Sequence, residues 1–173
     1  MKPLLRGLFL VLPCCFGTVV DAGEEVGLMP VEDQAAAPDF NLPGPDGRTY
    51  RLAEYLGKPI ILNFWATWCP PCRAEMPSMQ RAHEILAPEG IAVIAINVGD
   101  DVEAVREFLA DTPVSFPLPM DRDSVIAQRY PVIGLPTTFV IDAEGRLAFS
   151  ATGEQEWDAP ALLDQVRALQ RPR

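Results

Sequence analysis

One histidine and four cysteines are all that 173 residues offer as imidazole and thiolate ligands. A structural zinc site wants four such groups at close spacing, and beyond Cys69 and Cys72 the body of the chain offers only His83. The remaining cysteines, Cys14 and Cys15, lie in an N-terminal apolar segment, so a disulfide-stapled scaffold is excluded too. Basic residues are also scarce. Fourteen Lys and Arg against 24 Asp and Glu give a formal charge of −10, the wrong sign for neutralising nucleic-acid phosphates. No internal repeat or low-complexity tract is present, and the length suits one domain with a sizeable core. The longest uncharged apolar stretch, Gly7 to Val20, is shorter than the roughly 20 residues of a spanning helix.

What is present begins with that stretch. Lys2 and Arg6 precede it and small residues follow, the layout of a secretory signal with a cleavage site after Ala22. Residues 1–22 therefore read as a signal peptide or, uncleaved, as a membrane anchor through residues 7–20. Either reading sets the remainder outside the cytoplasm, in a periplasmic or other extracytoplasmic, oxidising compartment. Residues 23–36, acidic and Ala-rich without period, read as a flexible linker, and 37–173 as the folded domain.

Within that domain, Ile60 to Ala66 is a continuous apolar run broken only by Asn63, the pattern of a strand buried on both faces. Ile91 to Val98 is a second. Before them, turn-rich Pro43-Gly44-Pro45-Asp46-Gly47 predicts an edge hairpin. Between them, a helix is expected from the Cys69–Cys72 segment to about Ala87, kinked at Pro77, with Cys72, Met76, Met79, His83 and Leu86 on one stripe. A helix capped by Asp100 or Asp101 runs to about Ala110, with Val102, Val105 and Leu109 inward. Phe116 to Met120 suggests a strand interrupted by prolines, and Asp123 to Tyr130 a short helix. Thr137 to Asp142 and Arg146 to Ala151 form a hairpin, and Asp158 to Gln170 an amphipathic closing helix. The alternation predicts an α/β fold: a mixed central sheet flanked by helices, with an N-terminal β-hairpin.

Trp68-Cys69-Pro70-Pro71-Cys72 falls where the first buried strand hands over to a helix. Two prolines suit a first helical turn, whose N–H groups lack intrahelical partners. A helix N-terminus stabilises a thiolate, the form in which a cysteine exchanges with a disulfide. The spacing lets the two sulfurs join while Cys69 stays outermost, so Cys69 reads as the attacking thiol and Cys72 as the resolving one. Because Pro70 and Pro71 carry no N–H, backbone donors to a Cys69 thiolate begin only at Cys72, which favours a reductant. His83, eleven residues past Cys72, is roughly 16 Å along a helix and out of reach of either thiol. On residues alone, Pro136 reads as a trans proline opening a strand.

The run Phe64-Trp65-Ala66-Thr67-Trp68-Cys69-Pro70-Pro71-Cys72-Arg73-Ala74-Glu75-Met76-Pro77 resembles the active site of the thioredoxin superfamily. Within it, Ala37-Pro38-Asp39-Phe40, Ile96-Asn97-Val98-Gly99 and Leu135-Pro136-Thr137-Thr138-Phe139 resemble the exported TlpA/ResA-type thiol–disulfide reductases. The resemblance covers about Ala37 to Leu169 and implies a thioredoxin-like fold. It implies that Pro136 is cis beside a Cys69–Cys72 disulfide, and that Trp68, Leu135 and Pro136 meet the substrate chain. Ordinary thioredoxins carry a buried acid where this chain has Asn63, which cannot accept a proton. The exported relatives instead have a glutamate matching Glu75, three residues past Cys72, where partial burial would raise its pKa for a proton shuttle. The plainer alternative is an exposed acid in the first helical turns.

The resemblance further implies cysteine-containing protein substrates, a membrane thiol reductase as electron donor, no cofactor and a role such as cytochrome c maturation. A second reading is Cu(I) delivery through the two thiolates, for which Met76 is the nearest further soft ligand. A peroxidase of related fold would need Pro-x-x-x-Thr-x-x-Cys, and the residues ending at Cys69 carry Leu62 and Ala66 at those positions.

Overall fold

A computed structural model describes residues 27–170. The signal or anchor expected over residues 1–22 lies outside the described residues. The elements run β1 (Met29–Pro30), β2 (Asn41–Pro43), β3 (Thr49–Arg51), β4 (Ile60–Trp65), α1 (Pro70–Leu86), β5 (Ala92–Val98) and α2 (Val102–Asp111). They continue with β6 (Met120–Asp121), α3 (Val125–Arg129), β7 (Thr137–Ile141), β8 (Leu147–Thr152) and α4 (Pro160–Arg167). Six strands form one sheet in the order β1-β8-β7-β4-β5-β6, and β2 with β3 makes a separate hairpin. β4 pairs parallel with β5 and antiparallel with β7, so the sheet is mixed.

All six residues of β4 are buried, and alternation sends them into two cores. Ile61 and Trp65 face α1, α2 and α4, where they meet Met76, Met79, Phe108, Leu162 and Val166. Ile60, Leu62 and Phe64 face the β2–β3 hairpin and α3, where they meet Phe40, Tyr50, Leu52, Ile126 and Tyr130. Helices on both faces are why this strand and β5 carry almost no polar side chain.

α1 runs through Pro77 to Leu86 as expected, since burial of Met76, Ser78 and Met79 around it outweighs one forgone backbone hydrogen bond. Other expectations change in detail. Ala82 takes the inward place expected of His83, which is half-buried with its ring against Phe116. Phe108 joins Val105 as the buried pair of α2, while Val102 and Leu109 are only partly covered. The segment before β6 contributes acceptors without donors: Pro117 O and Pro119 O take Ala95 N–H and Asn97 N–H at 3.0 and 2.8 Å. α4 is confined to Pro160–Arg167.

The linker expected over residues 23–36 needs correcting from Met29 onward. Met29 and Pro30 pair with Ser150 and Phe149, and Leu147 N–H reaches Ala35 O at 2.9 Å. The segment therefore covers the otherwise open edge of β8, and it does so with backbone bonds that need no hydrophobic period.

Candidate functional site

β4 ends at Trp65, and the turn Ala66-Thr67-Trp68-Cys69 closes through Cys69 N–H to Ala66 O at 3.2 Å. Cys69 is the N-cap of α1, and Pro70 and Pro71 occupy its first two positions. Cys69 and Cys72 are joined in a disulfide. Cys72 is fully buried and Cys69 is 4% exposed, so Cys69 is the more accessible residue of the pair. Cys72 N–H points at Cys69 Sγ at 3.3 Å, the first amide the Pro-Pro pair leaves able to do so. Trp68 stands out at 68% exposed. On the β7 side the Leu135–Pro136 peptide is cis, Leu135 is half-buried and Gly153 N–H holds Pro136 O at 2.9 Å.

Glu75 lies one turn past Cys72 and is 1% exposed, in place of the exposed acid that a first-turn glutamate could have been. Three donors surround it. Asn63 Nδ2 reaches Oε1 at 2.9 Å, while Trp157 Nε1 and Gln155 N reach Oε2 at 3.0 and 3.2 Å. Burial pushes its pKa up to about 7, and these hydrogen bonds hold it from rising further. A carboxyl with that pKa can take and return a proton near neutrality. Asn63 also donates to Thr138 Oγ1 at 2.8 Å, so its amide links β4, α1 and β7. Ser78 Oγ completes the wall, accepting Trp157 N–H at 3.1 Å and donating to Glu75 O at 2.8 Å.

The sequence-derived residues thus fall into two groups: Cys69, Cys72 and Glu75 on α1, and Leu135 and Pro136 before β7. Trp68 lies between β4 and α1. Met76, considered above as a soft metal ligand, is fully buried in the core. Trp157 is a residue that sequence motifs miss, because nothing local marks an indole eighty-two positions from its partner.

Comparison with known proteins agrees with this arrangement. The AhpC/TSA family model matches residues 34–150. The thiol–disulfide oxidoreductase ResA of Bacillus subtilis (strain 168) is 35% identical over 147 residues, which are 85% of this chain and 82% of that one. The chain belongs to the ResA/TlpA-like thiol–disulfide oxidoreductases of the thioredoxin superfamily. Two solved structures carry the same fold. One is a thiol:disulfide interchange protein of the thioredoxin family from Chlorobium tepidum TLS, at a TM-score of 0.68 and 29% identity over 77% of this chain and 96% of that one. The other is a secreted Mycobacterium tuberculosis disulfide oxidoreductase homologous to E. coli DsbE, at 0.64 and 31% over 75% and 96%. Membership makes the protein a thiol–disulfide oxidoreductase with a redox-active cysteine pair. Its substrates are therefore proteins with cysteines.

Proposed function

We propose that this oxidoreductase works as a reductant of protein disulfides, with Cys69 attacking, Cys72 resolving and Glu75 handling the proton. Cys69 thiolate attacks the partner's disulfide, forming a mixed disulfide and releasing one partner thiolate. Cys72, deprotonated by Glu75, attacks Cys69 Sγ, closes the Cys69–Cys72 disulfide and releases the partner's second sulfur as thiolate. The partner gains two electrons and this chain loses two. Trp68, Leu135 and Pro136 form the surface that the substrate chain meets.

The observation that carries this reading is Glu75, buried one turn past Cys72 with its pKa near 7. No other carboxylate of α1 is buried. A membrane thiol reductase supplies electrons for the next cycle, and the cysteine pair of an apocytochrome c is the substrate that the family resemblance favours. The basic and apolar layout of residues 1–22 supports a site outside the cytoplasm, with residues 7–20 as a tether where they are not removed. Equilibration with thiol–disulfide buffers tests the direction. A reductant has a potential nearer about −270 mV, and a value close to about −120 mV would make the protein an oxidant and overturn the reading.

A further inference from the structure

The turn that carries Cys69 is held on the side away from Pro136 by the end of β5. Gly99 follows β5 at φ 83°, a left-handed conformation that glycine adopts without a Cβ clash, and this turns the chain back toward β4. Two aspartates follow. Asp101 caps α2, taking Ala104 N–H at 2.8 Å, which leaves Asp100 with no capping duty. Asp100 is 9% exposed, and three donors converge on it. Thr67 N and Asn97 Nδ2 each reach Oδ2 at 2.7 Å, and Thr67 Oγ1 reaches Oδ1 at 2.9 Å. Asn97 is itself immobilised, fully buried opposite Trp65 in the β4–β5 ladder with its N–H on Pro119 O.

We infer that Asp100 is a positioning residue for Cys69, fixing Thr67 so that the turn keeps Trp68 and Cys69 in place once the disulfide opens. In the oxidised chain the S–S bond ties the turn to α1. After reduction that tie is gone. Trp68 is too exposed to anchor the turn by packing, so what remains is backbone, from Cys69 N–H to Ala66 O and from Arg73 N–H to Cys69 O, together with the two Thr67 bonds to Asp100, which alone hold the turn to the end of β5. A partly buried carboxylate suits this task, because a charged acceptor makes stronger hydrogen bonds than a neutral one. The inference rests on Cys69 being the attacking thiol, as proposed above.

Positioning matters to a bulky partner more than to a small one, and this separates it from a general loss of structure. With insulin as the protein disulfide, Asp100→Ala and Thr67→Val each lower kcat/KM between about tenfold and a hundredfold, the range set by small misplacements of a reacting group. The rate of the same reduced variants with dithiodipyridine changes less than about twofold, since that reagent needs only an accessible thiolate. Thr67→Ser, which keeps both donors, restores the insulin rate, and the double variant is no slower than Asp100→Ala alone. Equal losses on both disulfides, additive losses, or a Thr67→Ser variant as slow as Thr67→Val would overturn the inference. Should Asp100→Ala fail to fold, the comparison of Thr67→Val with Thr67→Ser decides alone. Failure of the Cys69 reading is seen separately: iodoacetamide would then label Cys72 first in the reduced wild-type protein.

Discussion

Replacing Glu75 with Gln turns the buried carboxyl into a stability measurement. In the folded chain its pKa is about 7 against an ordinary 4.5, a gap equivalent to about 3 kcal/mol. The folded state holds the proton more tightly than the unfolded one, so between those values unfolding releases it. Stability then falls as pH rises, by up to about 1.4 kcal/mol per unit, with the full loss of about 3 kcal/mol reached above pH 7. Gln removes the titration. The amide also fits the site: its oxygen can accept from Trp157 and Gln155, and its NH2 can face Asn63. Asn63 Oδ1 has no hydrogen-bond partner among the described residues, so a flip of that amide supplies the acceptor.

The measurement is the urea unfolding free energy of oxidised wild type and Glu75→Gln between pH 4.5 and 8, read as a difference. The difference matters because His83 acts with the opposite sign in the same window. Burial lowers its pKa below 6.5, so its contribution to stability rises as pH rises through that value. That contribution is common to both proteins and cancels. The oxidised form keeps the cysteines from titrating. Relative to the variant, wild type should lose about 3 kcal/mol across the range. A difference that stays flat to within about 0.5 kcal/mol would show that Glu75 ionises in the fold at no cost, and would refute the reasoning.

Trp157→Phe keeps most of the buried ring and deletes one donor to Oε2, so stability falls by about 1–3 kcal/mol, and the Glu75 titration, followed by carboxyl infrared absorption, moves above its wild-type midpoint. Asp101→Ala removes the N-cap of α2 and costs about 1 kcal/mol in denaturant unfolding, with insulin reduction unchanged because Asp101 touches no part of the Cys69 turn. Met79→Ala, emptying a fully buried position of α1, costs about 2–5 kcal/mol in the same assay.

Where the fold was legible, continuous apolar runs and turn chemistry wrote it. β4 and β5 are runs that water excludes from both faces, and the Pro43–Gly47 turn announces its hairpin. β1 left no such mark. Its two residues are exposed and too few to show a period, and they form a strand because β8 offers unpaired backbone. Phe116 to Met120 was obscured for the converse reason, since its prolines can accept from β5 but never donate to it. At the site, spacing pointed to both cysteines, and the family resemblance pointed to Glu75. The partners that set the chemistry of Glu75 come from Gln155 and Trp157, 80 and 82 residues away, where only the folded chain relates them.

The reductant direction that we propose has its physical basis in what the start of α1 withholds. A helix N-terminus ordinarily turns several free amides toward an anion. Here Pro70 and Pro71 have none, and Arg73 N–H is committed to Cys69 O at 3.2 Å. Cys72 N–H is left to serve Cys69 Sγ. The Arg73 guanidinium lies over the Phe108 ring of α2. A thiolate with one amide is weakly stabilised, and weak stabilisation of the reduced form lowers the potential. Glu75 adds to this on the Cys72 side. Once ionised, it is a buried negative charge one turn away, and it disfavours a second charge on that sulfur.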